Sequence, residues 1–327
     1  MNNPLYEELH AEGIISDQTL QNLRNKYANP LFSLHWELKT LLYLGVMLLS
    51  TGLGILIYKN IDSISHQVVL LAIAAISSGC FYWCLKNKMP YSNTKVLAPN
   101  SFFDYILLLG TLSFLTFVGY LQFQFEVFGT HFGLATFIPM LVLFFVAYYF
   151  DHLGILTMAI ANLAIWMGVS VTPKHLLQDA DFASERIIYT YLILGLCLLA
   201  GGYLTKRYKI KPHFFFSYHH YGVHLTFISV LAGFFFYDLA PAMLWIAGFA
   251  VAGWFIFQDA KKSKSFYFLL LTALYSYVAI SGLVVRLLIK TDGDGIIYLG
   301  FMYFITSAIG FTSILINLNK SVKASSI

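Results

Sequence analysis

Long apolar runs, separated by short polar segments, extend along the chain from residue 40 to residue 316. An apolar helix of ~20 residues is long enough to cross the ~30 Å hydrocarbon core of a bilayer. The segments between the runs are short, so consecutive helices must be antiparallel neighbours. We therefore predict a bundle of about ten transmembrane helices within residues 36–318. The predicted bounds are 40–58, 67–85, 102–121, 132–150, 153–171, 186–204, 218–237, 240–257, 266–289 and 296–316.

The composition of the chain supports the same fold class. Of the 327 residues, 58% are hydrophobic and only 11% are charged, whereas soluble domains carry about 25% charged residues. A chain with so little charge cannot cover a water-facing surface. The prediction is an all-α protein, a polytopic integral membrane helical bundle whose main partner is the lipid bilayer and which has no nucleic-acid partner.

Residues 1–35 differ from the rest of the chain because they are polar. Gly13 is of a residue type that ends helices, and Ser16 or Asp17 can cap a second helix over 17–28. The segment lacks the apolar core of a signal peptide. We predict a short cytoplasmic helical hairpin, which either packs against the bundle or binds a cytoplasmic protein partner.

A helix pair followed by a glycine-rich first span forms a recognisable pattern. Its residues are Leu9, Glu12, Gly13, Ile14, Ile15, Ser16 and Leu20, followed by Gly45, Gly52 and Gly54. This pattern resembles the domain-of-unknown-function 2157 (DUF2157) family of predicted bacterial membrane proteins, over roughly the first 90 residues. Because that family has no established activity, the resemblance implies a location and a fold type but no catalytic residues.

The basic residues indicate how the bundle is oriented. With the N-terminus in the cytoplasm, fifteen of the twenty Lys and Arg residues fall on the cytoplasmic side, where such residues concentrate in membrane proteins. The densest group extends from Lys206 to Lys211. We predict that both termini are inside (N-in/C-in), that 319–327 is a basic cytoplasmic tail, and that the protein lies in the bacterial cytoplasmic (inner) membrane.

The turn at Asp151 and His152 is short and contains no Lys or Arg. An alternative to two spans is therefore that residues 132–171 form one re-entrant unit. Such a unit would change the number of spans without altering the other loops.

Small residues four positions apart predict close contacts between helices. Ala75 and Gly79 have this spacing, and so do Gly248 and Ala252. We expect a neighbouring helix to lie against each of these pairs.

The stretch from His213 to His224 holds the densest set of possible metal ligands. His220 and His224 are one helical turn apart, so they share a face and are able to bind one metal ion. No acidic or thiol residue lies close in sequence, and contact with lipid phosphates or water is the alternative. We treat the two histidines as a weak candidate ligand cluster and predict no bound metal and no cofactor.

Three polar residues in the spans are candidates for a solute pathway. Asn162 lies near the middle of its span, Asp104 near the cytoplasmic end and Arg286 about one turn from the outer end. Each has a structural alternative, because amides join helices by hydrogen bonds and charged side chains reach towards the interface. No catalytic motif is present, so we predict no enzymatic activity.

Two functions remain. Ten spans with both termini inside resemble the drug/metabolite transporter architecture, which favours a transporter-like protein for a small solute. The alternative is a membrane sensor or scaffold that acts through its N-terminal hairpin. A cavity that reaches Asn162 favours the first function, and a solid bundle favours the second.

Overall fold

The computed structural model describes residues 10–21, 65–129, 132–171, 184–290 and 296–324, with single positions between 40 and 59. Every regular element in these ranges is helical, which confirms the all-α class. A short 3-10 helix, Pro212–Phe214, precedes α6. The long helices are α1 (His66–Asn87), α2 (Ser101–Phe125), α3 (Phe132–Phe150), α4 (Leu153–Val171), α5 (Glu185–Tyr208), α6 (Phe215–Phe236), α7 (Leu239–Lys262), α8 (Phe266–Ile289) and α9 (Ile296–Ala324).

Within the described residues, eight helices are long and apolar enough to cross a membrane, namely all of the long helices except α6. This result confirms a multi-pass membrane protein. Helix α6 has 22 residues, including His219, His220 and His224, and is not among these eight. The predicted first span, 40–58, lies mostly outside the described residues, so the total of ten stays a prediction.

Two full helices, α3 and α4, occupy residues 132–171. Asp151 has a left-handed backbone conformation with φ of 60°, and the His152 N–H donates to the Ala147 carbonyl at 3.0 Å. This hydrogen bond closes the end of α3 in the manner of a Schellman motif, so the chain reverses within two residues. Each of the two helices is long and apolar enough to cross a membrane by itself, which favours two spans over one re-entrant unit.

From α2 onward each helix contacts the next one in sequence, and α6 also contacts α4 and α8. Two clusters of buried apolar side chains result. One draws on α1 to α5 and the start of α6, and it includes Leu107, Leu143 and Ile155. The other draws on α6, α7 and α8, and it includes Phe227 and Phe249. Because α6 contributes to both clusters, it is the central helix of the described bundle.

Glycines bring α5 and α6 into close contact. A methyl group at Gly195 would lie 2.7 Å from the backbone nitrogen of Thr226, and one at Gly222 would meet a backbone atom of α5 at 2.9 Å. By contrast, a methyl group at Gly79 or Gly248 would have no atom of the described residues within 4 Å. Among the described residues, then, neither Gly79 nor Gly248 itself makes a close contact, although Ala252 packs against the cluster of α6, α7 and α8.

The N-terminal segment is described over residues 10–21. Gly13 has a φ of +74° and its N–H donates to the His10 carbonyl at 3.0 Å. Ser16 Oγ accepts a hydrogen bond from the Thr19 N–H at 3.3 Å, and a helix begins at Asp17. Gly13 and Ser16 therefore have the local roles that the sequence predicts. Most of the hairpin over 1–35 lies outside the described residues, so its existence as a unit and its partner stay predictions.

Candidate functional site

A buried ion cluster lies beyond the ends of α3 and α5. We call this the basic end of the bundle, the end at which α1 and α7 also finish. The Asp151 carboxylate is 3.0 Å from Lys211 Nζ and 2.5 Å from His213 Nε2. The side chains of Asp151 and Lys211 are each only 1% exposed. Buried charges are costly unless they are paired, so each of these residues depends on the other.

The ion cluster also binds the connection between α1 and α2. Asp151 accepts a hydrogen bond from the Val96 N–H at 2.5 Å. The Lys211 N–H donates to the Asn93 carbonyl at 2.7 Å, and Lys211 Nζ donates to the Thr94 carbonyl at 3.4 Å. The space beside the cluster is only about 10 Å³, which is room for one water molecule. The cluster therefore joins three connections and does not provide room for a solute.

Asp104, one of the candidate pathway residues, lies at the basic end, 3.9 Å from His152 Nε2. Burial lowers the pKa of His152 below its ordinary value, while the charges of Asp104 and Asp151 act in the opposite direction. His152 Nδ1 accepts a hydrogen bond from the Ile155 N–H at 3.2 Å, which caps the start of α4. Asp104 thus belongs to a polar pair at the helix ends rather than to the membrane interior.

Arg286, the second candidate, lies at the opposite end of the bundle. Its guanidinium donates to the carbonyls of Phe235 at 2.8 Å and Tyr237 at 3.1 Å, and it lies 4.4 Å from the centre of the Phe234 ring. A cation at the C-terminus of a helix satisfies its last carbonyls and interacts favourably with its dipole. Arg286 of α8 therefore caps α6.

Asn162, the third candidate, lies near the middle of α4. Its Oδ1 is buried and has no hydrogen-bond partner among the described residues. A buried amide oxygen without a partner is costly. Asn162 therefore remains a candidate for contact with a solute. The structure does not bring Asn162 together with Asp104 or Arg286, because the three lie on α4, at the start of α2 and at the end of α8.

His220 and His224 face two tyrosines of α8. His220 Nδ1 is 2.5 Å from the Tyr267 hydroxyl, and His224 Nδ1 is 2.7 Å from the Tyr275 hydroxyl. His224 Nε2 is also 3.5 Å from the Tyr267 hydroxyl. In the part of the chain that the structure describes, no group of three or more His, Cys, Asp or Glu side chains is arranged to hold a metal ion. The two histidines therefore join α6 to α8 through tyrosine hydroxyls.

A cavity of about 670 Å³ lies between α5, α6 and α7. We call it the α5–α7 groove. Its wall is mainly apolar and includes Leu199, Val230 and Trp245. The volume is in the range of small-molecule sites. Asn162 is not among the residues that line it.

Two polar side chains that line the groove are buried without hydrogen-bond partners among the described residues. His219 is 1% exposed, and neither of its ring nitrogens is hydrogen-bonded. The nearest acidic group is Asp259, whose Oδ2 is 3.7 Å from His219 Nε2. The Thr226 hydroxyl is also buried and unpaired. Each such group costs about 1–3 kcal/mol, and a ligand that hydrogen-bonds to it would remove that cost.

Sequence analysis noted the turn at Asp151, the basic group that ends at Lys211 and the histidine stretch, but it predicted neither site. Asp151 and His213 are 62 positions apart, so no local motif connects them. His219 and Thr226 lie inside an apolar span, where a single polar residue is common. The only sequence indication is that three histidines lie within one span.

Residues 7–156 match the family model of DUF2157, which is described as a predicted membrane protein. The resemblance inferred from the first 90 residues is thereby confirmed, and it continues through α3 into the start of α4. No curated protein and no solved structure gives a significant match.

Proposed function

We propose that this membrane protein is transporter-like and that its substrate is a small amphipathic solute bound in the α5–α7 groove. The observation that carries the proposal is the groove itself, about 670 Å³ in volume and lined by the buried, unpaired His219 and Thr226. Its apolar wall suits the hydrocarbon part of such a solute, and the two polar groups suit its polar part. In this proposal the protein binds and moves the solute without changing it chemically, and it does so in the bacterial cytoplasmic membrane.

The proposal places the solute on α5, α6 and α7 rather than on α4. The criterion set from the sequence, a cavity that reaches Asn162, is not met by the groove, because its lining does not include Asn162. Asn162 therefore serves as a separate test: Asn162→Leu should leave binding in the groove unchanged if the solute contacts only α5–α7.

Filling the groove tests the proposal directly. Gly248 lines the groove and has open space where a side chain would start, so Gly248→Leu adds bulk to the cavity without a clash. The matched control is Gly119→Leu on α2, where the space is also open. Binding of a fluorescent fatty-acid analogue to the purified full chain should weaken at least tenfold in Gly248→Leu and remain unchanged in Gly119→Leu. Equal affinities of the two variants would contradict the proposal.

Movement of the solute is tested in reconstituted vesicles. The wild-type protein should accelerate transfer of the same fluorescent probe across the bilayer, and Gly248→Leu should not. If Gly248→Leu prevents binding while transfer is no faster with wild-type protein than in empty vesicles, the groove binds a solute but the protein is not transporter-like.

The alternative function, a membrane sensor or scaffold acting through residues 1–35, stays a prediction because most of that segment lies outside the described residues. Deletion of residues 2–30 separates the two functions. A transporter-like protein should keep its groove binding and its transfer activity after the deletion. A sensor or scaffold should insert normally and lose its cytoplasmic partner.

A further inference from the structure

We infer that the α5–α7 groove takes one class of amphipathic molecule, a phospholipid whose head group carries both a phosphate and a primary ammonium. The inference rests on the proposed function because it names the substrate of the same groove. It depends on three features: the side of the bundle to which the groove opens, its length, and the charges at its basic end.

The groove opens sideways, towards the surface that lipid covers. Among its lining residues, Leu244 is 76% exposed, Phe255 69% and Val251 58%. All three are apolar residues of α7 and lie within a candidate membrane span. A molecule therefore enters the groove from the hydrocarbon core of the bilayer, which selects lipids over water-soluble solutes.

The length of the groove suits an acyl chain. Its lining on α5 extends from Tyr189 to Tyr203, and at a rise of 1.5 Å per residue this distance is ~21 Å. One leaflet of a bilayer has a hydrocarbon depth of ~15 Å. An acyl chain with its glycerol group therefore extends along the groove with the head group at one end.

The charges at the basic end determine which head group fits. On α5, Lys206 lies one turn beyond the groove residue Tyr203 and on the groove-lining face. On α7, the groove-lining face continues beyond Ile256 to Asp259 and Lys262. Lys206 and Lys262 are exposed, and Lys206 Nζ lies 5.0 Å from the centre of the Phe215 ring. Two cations are suited to a phosphate.

Asp259 distinguishes between phospholipids. Its side chain is 27% exposed and lies beside the groove residue His219. A purely anionic head group would be repelled by this carboxylate. Asp259 already accepts a hydrogen bond from the groove residue Tyr203, and an ammonium group beside the phosphate would add a cationic partner for it. Phosphatidylethanolamine has this chemistry, and phosphatidylglycerol has only the phosphate.

Native mass spectrometry of the purified full chain measures how much of each lipid the protein retains. The two lipids have identical acyl chains. Wild-type protein should prefer phosphatidylethanolamine by about tenfold. Asp259→Asn should abolish the preference, whereas Asp259→Glu, which keeps the charge, should retain it. Lys206→Gln should weaken retention of both lipids. The matched control is Lys209→Asn, which removes an exposed lysine at the C-cap of α5 and should change neither retention nor preference.

The outcomes separate this inference from the proposed function. If wild-type protein shows no preference, or if Asp259→Asn keeps it, the assignment of the head group is overturned. If in that case Gly248→Leu still prevents binding of both lipids, the groove remains an amphiphile site and the proposed function stands. If Gly248→Leu binds both lipids as the wild-type protein does, the inference and the proposed function fail together.

Discussion

Asp151 shows how much of the structure can depend on one side chain. Its carboxylate contacts Lys211, His213 and the Val96 N–H, and it is almost completely buried. Its left-handed backbone also forms the turn between α3 and α4. Because asparagine adopts this conformation as readily as aspartate, the charge can be removed without straining the turn.

We expect Asp151→Asn to lower the free energy of unfolding by about 3–5 kcal/mol, because it leaves the buried Lys211 charge unpaired. The double variant Asp151→Asn/Lys211→Met removes both charges and should recover most of that loss. Unfolding of the purified protein in detergent measures both effects. If the double variant is no more stable than the single one, the ion pair is not the cause.

His152 makes stability depend on pH at the same end of the bundle. Its pKa is lower in the folded protein than in the unfolded chain because it is buried. As the pH falls through the ordinary histidine range, the unfolded chain therefore takes up the proton first, and stability decreases. In His152→Asn, which keeps a capping side chain for α4, unfolding between pH 7 and pH 5 should depend less on pH than in wild-type protein. If the stability of His152→Asn depends on pH as that of the wild-type protein does, His152 is not the group that causes the pH dependence.

At the scale of single elements, α5 and α6 are held together at glycines where backbone atoms of the two helices approach closely. Gly195 permits the approach because a methyl group there would lie 2.7 Å from a backbone nitrogen of α6. Backbone atoms cannot move aside as a flexible side chain can. Glycine is therefore required at this position by the distance between two helices.

We expect Gly195→Ala to destabilise the protein by about 1–3 kcal/mol through overpacking. Gly119→Ala on α2 is the control, since the added methyl group has open space. That control should be neutral or stabilising by up to about 1 kcal/mol, because alanine favours helices more than glycine does. Effects of the same sign and size would show that helix propensity, rather than contact between α5 and α6, decides the result.

At the scale of the whole molecule, the structure agrees with a chain that crosses the membrane repeatedly, while the orientation stays a prediction from the basic residues. In a background without Cys80, Cys84 and Cys197, single cysteines test it. Cysteine in place of Phe128, Gln178 or Gly293 should react with an impermeant reagent added to intact cells. Cysteine in place of Ser92, Lys209 or Lys262 should not, and reaction at 209 would reverse the assignment.

The sequence predicted the helices well because apolar length is a local property. The bounds 153–171 and 266–289 coincide with α4 and α8. It predicted the contacts poorly, because they depend on residues distant in sequence. Gly79 and Gly248 have the spacing of contact residues but meet no other described residue closely, whereas Gly195 and Gly222 make close contacts.

Polar residues were harder still to interpret. Arg286 in a span suggests a pathway, but its partners are carbonyl groups at the end of another helix. The groove depends on the relative positions of three helices, and no pattern within any one of them predicts its volume. The residues that line it are ordinary apolar residues of membrane spans, apart from a few such as His219 and Thr226.

The ion cluster has a consequence for the order in which the chain assembles during synthesis. The turn that contains Asp151 is made first, and the residue that bonds its second oxygen, His213, follows 62 positions later. At ~5–20 residues per second, the ribosome needs roughly 3 to 12 s to add that length. During this interval the carboxylate has neither Lys211 nor His213 and must remain hydrated. The turn of the α3–α4 hairpin therefore stays in water until α5 and α6 have been synthesised. Their packing against the hairpin then completes the first half of the bundle.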